Sequence, residues 1–242
     1  MYKFITEHYI LLTHLVEMLA ALVGVFLLKK YRNTATTYFI WFLVCLALCD
    51  FLGGYTILIR KGGALNFLKG TLFEKNYWWS TLYWKIGAIL FFSFYYYNIL
   101  NTKDFKNPIK FLAIGFLLFS VVYIAINWQD FFTSFFPVIS VLGTIIVFTC
   151  TLFYFIEILR SDKILTFYKS LNFYITAAIF MWWLIITPIV FYDNYLTYQV
   201  GVYKRDWDYI HLRQFIYLFS NISMYLTFTF ALIFCKPETD NN

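Results

Sequence analysis

Residues 9–32 read YILLTHLVEMLAALVGVFLLKKYR, an apolar run of twenty residues interrupted only by Thr13, His14 and Glu17 and closed by Lys29, Lys30 and Arg32. Twenty helical residues rising 1.5 Å each cover the ~30 Å hydrocarbon core of a bilayer. A cleavable signal peptide places its charge before the apolar run, whereas here the basic cluster follows it. The order predicts a retained first helix over 8–28, with the N-terminus outside and the cluster held in the cytoplasm.

Working outward from that helix, six further stretches have the same length and character: 37–59, 78–100, 108–127, 134–159, 170–192 and 211–235. Each far exceeds a barrel strand and none alternates, so strands are excluded. The prediction is all-α: a polytopic membrane protein forming a single seven-transmembrane-helix bundle over 1–242. Composition agrees. Charged residues make up 13% of the chain and hydrophobic residues 62%, with mean hydropathy +0.68. A soluble domain would carry about a quarter charged residues, so the solvent for this surface is lipid. Aromatics reach 24%, including 21 Tyr and 8 Trp, the ring types that favour the headgroup level.

The formal charge of +6 does not indicate nucleic acid, because most basic residues sit at the ends of apolar runs. Ten of them (Lys29, Lys30, Arg32, Lys103, Lys106, Lys110, Arg160, Lys163, Lys169, Lys236) fall on one side of the predicted bundle. Eight (Lys3, Arg60, Lys61, Lys69, Lys75, Lys204, Arg205, Arg213) fall on the other. The first group clusters in short loops, where charge sets orientation, so that side is assigned to the cytoplasm together with the C-terminus. Of the longer outer loops, 60–77 and 193–210, the first predicts a short interfacial helix, with Trp78 and Trp79 marking the headgroup level.

Ionisable groups within hydrocarbon are costly and mark function by default. His14 and Glu17 on the first helix, Asp50 on the second and Lys85 on the third fall, by helical rise, in one layer of the outer half. Glu17 shares its face with Ala20, Ala21 and Gly24, and Asp50 shares its own with Ala47, Gly53 and Gly54. Small residues of this kind let helices approach closely in lipid, so both acids are predicted to look inward. The four are ligand-binding or proton-relay candidates, histidine being the side chain that changes charge near neutral pH. The structural alternative is that Lys85 neutralises the carboxylates and locks three helices together. Tyr83, Tyr123, Asn221 and Ser223 are weaker polar candidates.

Other features have ordinary explanations. Glu157 and Arg160 are spaced as an interfacial ion pair. Pro137 and Pro188 are candidate kinks, Trp182 and Trp183 suit packing, and Asp206, Asp208 and His211 suit a solvated loop. Cys45, Cys49, Cys150 and Cys235 lack zinc or disulfide spacing. No cofactor, metal set or catalytic constellation is legible. A retinal protein needs a lysine deep in the last helix, a zinc hydrolase more than the three histidines present, and a haem paired buried histidines. A sugar carrier needs related halves, which are absent.

The pattern His-Leu-Val-Glu-Met at 14–18, followed by Lys-Lys-Tyr-Arg-Asn at 29–33, resembles small uncharacterised seven-helix proteins of Bacteroidota inner membranes. The resemblance spans the chain without a diagnostic motif. It implies a bacterial inner-membrane location and no particular activity. The functional expectation is a non-enzymatic sensor or accessory subunit of a larger membrane complex, with membrane lipids and a protein as partners. A small proton-coupled transporter is the alternative, and a lipid-modifying enzyme with His14 and Glu17 as acid and base ranks third.

Overall fold

The computed structural model describes residues 2–59, 63–199 and 207–237, and its regular elements there are all helical. Six of its helical stretches are long and apolar enough to cross a membrane: His8–Phe26, Ala35–Ile59, Lys103–Ile126, Pro137–Leu159, Leu171–Asp193 and Trp207–Phe234. They belong to α1 (Tyr2–Phe26), α2 (Ala35–Gly53, continued by a 3-10 turn Gly54–Ile59), α5 (Lys103–Ile126), α7 (Pro137–Leu159), α8 (Leu171–Gln199) and α9 (Trp207–Phe234). The apolar run at 78–100 is also helical, but in three pieces: α3 (Tyr77–Ser80), a π-helical stretch Thr81–Ala88, and α4 (Ile89–Ile99). A short α6 (Trp128–Thr133) precedes α7.

Large apolar side chains stand bare along these helices. Phe26 is 83% exposed, Ile126 75% and Phe219 68%. Water would not tolerate such a surface over so many turns, and lipid does. Several hydroxyl groups along the helices are satisfied within their own helix, as suits a dry surrounding. Thr144 donates to the Ser140 carbonyl at 2.8 Å, Thr176 to Asn172 at 2.7 Å and Thr229 to Tyr225 at 2.9 Å. The chain is built as an integral membrane protein.

Packing divides it into two compact units, residues 1–43 with 158–242, and residues 44–157. In the first, α9 packs against both α1 and α8. Phe39 and Phe228 meet edge to face at 5.0 Å. Trp182 donates its indole N–H to Asn221 Oδ1 at 2.7 Å, which joins α8 to α9. Farther along, Asp193 accepts from Tyr209 at 2.6 Å and from Arg213 Nε at 2.8 Å. Gly24 lies so close to Ile40 that an added Cβ would meet Cγ2 at 3.0 Å.

The opposite end of α9 is capped from the turn after α1. The last four carbonyls of a helix have no partner within it. Lys30 Nζ supplies donors to Leu232 O at 3.1 Å and Ile233 O at 2.9 Å. The Tyr31 hydroxyl lies 2.8 Å from Leu232 O and 2.9 Å from Cys235 O. Tyr31 is wholly buried, and that burial pushes its pKa up, so it remains a donor. Burial also lowers the pKa of Lys30. Asn33 takes a left-handed φ of 66° to close the turn, and Thr34 and Thr37 both donate to Tyr31 O at 2.7 Å.

In the second unit, α4 packs along α5. Glu157 caps the N-terminus of α5: its carboxylate accepts from the backbone N–H of Asn101 at 2.9 Å and of Thr102 at 2.9 Å. Phe73, Trp78, Trp128, Phe131 and Phe132 form one aromatic cluster, with Phe73 and Trp78 at 5.5 Å and Trp128 and Phe132 at 5.3 Å.

Three local expectations change. The interfacial helix expected within 60–77 is replaced by two 3-10 turns, Asn66–Leu68 and Leu72–Glu74. Gly70 between them adopts φ +79°, a left-handed conformation that ends a helix, and Glu74 Oε2 accepts from its N–H at 2.8 Å. Pro137 is the first residue of α7, where its missing N–H costs nothing, and is not a kink. The last segment of α8 runs to Gln199, beyond the predicted 192. Arg60, Lys61, Lys204, Arg205 and Asp206 lie outside the described residues.

Candidate functional site

Glu17 is 1% exposed on a face built from Ala20, Ala21 and Gly24, all of them buried. Side chains this small leave room for a neighbouring helix, and the carboxylate is therefore enclosed by protein. His14, three residues earlier and one-third exposed, places Nδ1 3.8 Å from Glu17 Oε2. The imidazole is thus a polar neighbour of the buried carboxylate on the same helix. Both residues belong to α1, the helix on which the sequence placed them.

In the second unit, Asp50 and the start of the broken helix are joined by a row of side-chain donors. Asn76 Nδ2 donates to Gly53 O at 2.9 Å, Trp79 Nε1 donates to Cys49 O at 2.7 Å, and the Tyr83 hydroxyl donates to Asp50 Oδ1. Positions 76, 79 and 83 follow helical spacing, which puts all three on one face. Gly53 allows the approach, because an added Cβ there would lie 3.1 Å from the Trp79 ring. The Gly53 carbonyl lies where α2 passes into the 3-10 turn, so Asn76 ties that junction to another element. Trp79, read from sequence as a headgroup marker, is thus also a hydrogen-bond donor to the α2 backbone. Tyr83 was legible only as one hydroxyl among many.

Lys85 has a different neighbour. Its Nζ lies over the Phe135 ring, 4.6 Å from the centroid, and Phe135 in turn meets Tyr77 edge to face at 4.4 Å. Lys85 and Asp50 form no ion pair in the structure. A cation over an aromatic face gains about 0.5–2 kcal/mol, which offsets part of its desolvation.

Lys85 belongs to the π-helical stretch. There the backbone pairs each carbonyl with the fifth residue on, and such stretches recur at functional sites. Gly87 suits this geometry. A Cβ at that position would sit 3.1 Å from the carbonyl oxygen of Leu82, five residues back. Gly143 of α7 completes the surroundings, since a Cβ there would come within 2.9 Å of Ile89 Cγ1 and 3.7 Å of Lys85 O. Within the same stretch Thr81 is fully buried, and its hydroxyl has no hydrogen-bond partner among the described residues. Nothing in the amino-acid types of 81–88 announces a π-helix. The nearest signal was Gly87 inside an otherwise bulky run.

Chemically, the first unit offers a histidine–carboxylate pair on α1, and the second offers a carboxylate–phenol pair joining α2 to the π-helical stretch and a lysine over an aromatic ring. No family model, curated protein or solved structure matches this chain.

Proposed function

We propose that this chain is a seven-crossing protein of a bacterial inner membrane, related to the Bacteroidota proteins it resembles, that serves a larger complex as a sensor or accessory subunit and not as an enzyme. The reading takes 77–99 as the remaining crossing, the N-terminus as outside and the C-terminus as cytoplasmic. The observation that carries it is the π-helical stretch Thr81–Ala88 inside that crossing, which bears both Tyr83 and Lys85. A π-helical stretch relaxes to α-helix by shifting its register, and one residue corresponds to about 100° of rotation. Such a shift would separate Tyr83 from Asp50 and swing Lys85 off Phe135. An event at Asp50 is thereby converted into rotation of one helix segment against the other, a motion that a bound partner can read.

The test is affinity purification from native membranes in mild detergent, with mass spectrometry of whatever accompanies the protein. A stoichiometric protein partner, retained less well by Asp50→Asn, is the expected result. A monomer carrying no companion would sink the proposal.

A small proton-coupled carrier is the second reading, favoured by the His14–Glu17 pair with its enclosed carboxylate. Under it, proton-driven flux in liposomes disappears in Glu17→Gln. Flux that ignores that substitution rules it out.

A further inference from the structure

At the end of the first unit where α9 terminates, three separate connections converge. The turn 27–34 is tied to α9 through Lys30 and Tyr31. The connection from α7 to α8 meets the chain beyond α9 through the bridge between Ser170 and Lys236. Residues 27–34, 160–170 and 235–237 contain seven basic residues and a single acidic one, Asp162. Lys30 is spent on the α9 carbonyls, where its charge also offsets the negative end of the helix dipole. Lys29, Arg32, Lys169 and Lys236 are exposed.

Beside them stands an apolar group with no soluble rationale. Leu165 is 77% exposed and Tyr168 54%, with Ile164 and Phe167 exposed as well. These residues lie on two consecutive 3-10 turns, Asp162–Leu165 and Phe167–Lys169, and Lys169 Nζ lies 5.4 Å from the Tyr168 ring centroid. Apolar and aromatic side chains interleaved with lysine next to membrane-spanning helices have the composition of a segment that sinks into the headgroup layer. The hydrogen bonds to Tyr31 O fix the neighbouring turn, so its charges are presented by a preorganised frame.

We propose that this end of the unit binds anionic phospholipid headgroups selectively: Lys29, Arg32, Lys169 and Lys236 hold the phosphates while Leu165, Phe167 and Tyr168 enter the acyl boundary. The inference rests on the chain spanning a membrane, and not on its role as a subunit or carrier. Charge complementarity selects this occupant, because an acidic lipid surface repays each nearby Lys or Arg by about fivefold in affinity.

The experiment reconstitutes the purified full chain in nanodiscs of equal parts phosphatidylglycerol and phosphatidylcholine. It then reads the lipids retained by native mass spectrometry after release. The wild-type chain is expected to retain phosphatidylglycerol at least fivefold over phosphatidylcholine at low salt, and the preference should fall steeply in high salt. The combined variant Lys29→Gln, Arg32→Gln, Lys169→Gln and Lys236→Gln should lose it, whereas Lys69→Gln with Lys75→Gln, in the other unit, should keep it. Because basic residues also guide insertion, the salt titration of the wild-type chain stands as an independent arm. Equal retention of the two lipids, or a preference indifferent to salt, overturns the proposal. Failure to enter nanodiscs at all would instead overturn the membrane-spanning reading on which it rests.

Discussion

Tyr31→Phe isolates one hydroxyl. The ring is wholly buried and stays in place, so packing is preserved. What changes is the donor shared between Leu232 O at 2.8 Å and Cys235 O at 2.9 Å. Leu232 O keeps a donor in Lys30 Nζ at 3.1 Å, and Cys235 O loses the Tyr31 donor. Losing a buried hydrogen bond of this kind costs about 1–2 kcal/mol. For a chain of this size that corresponds to a fall of roughly 2–8 °C in unfolding midpoint. Thermal unfolding in mild detergent, followed by tryptophan fluorescence, measures it. Tyr31→Ala provides the scale, because it also removes the ring and should cost about 3–5 kcal/mol. Hydrogen exchange should rise around residues 231–236 in Tyr31→Phe. A midpoint equal to that of the unaltered chain would refute the assignment of Tyr31 as the cap of α9.

Three further substitutions probe the second unit. Gly143→Leu places a side chain where even a Cβ lies 2.9 Å from Ile89. It should cost about 1–3 kcal/mol by overpacking, while Gly115→Leu, in open space on α5, should leave the midpoint unchanged; both are read by the same fluorescence melt. Glu157→Ala removes the carboxylate that accepts from Asn101 and Thr102. A loss of about 1–3 kcal/mol is expected, with exchange of the amides at 101–106 accelerated and those of α9 unaffected.

The spanning helices were legible because lipid as solvent imposes one simple demand, a long apolar run whose backbone bonds are internal. Tyr9–Leu28 meets that demand in plain view, and so do the other runs. The inward orientation of Glu17 was legible too, since Ala20, Ala21 and Gly24 mark a packing face whatever the partner is. What escaped notice depends on geometry that residue types do not encode. The π-helical stretch 81–88 has the composition of any membrane helix, and its wider turn is a matter of backbone pairing that residue types do not specify. The partner of Asp50 was ambiguous because a carboxylate accepts from any nearby donor, and charge alone favoured Lys85 over Tyr83. Glu157 was similarly assigned to Arg160 by spacing, yet the backbone N–H groups at the start of α5 provide donors that no sequence spacing announces. Gly70 was visible as a residue, but not the left-handed turn it closes.

Whether 77–99 crosses the bilayer is decided most directly by the sidedness of the two termini. Fusing a periplasm-active reporter to the N-terminus and a cytoplasm-active fluorescent reporter to the C-terminus reads each side independently. An odd number of crossings predicts both reporters active, with the N-terminus outside and the C-terminus inside. Termini on the same face of the membrane would mean that the broken helix turns back, and would contradict the seven-crossing account.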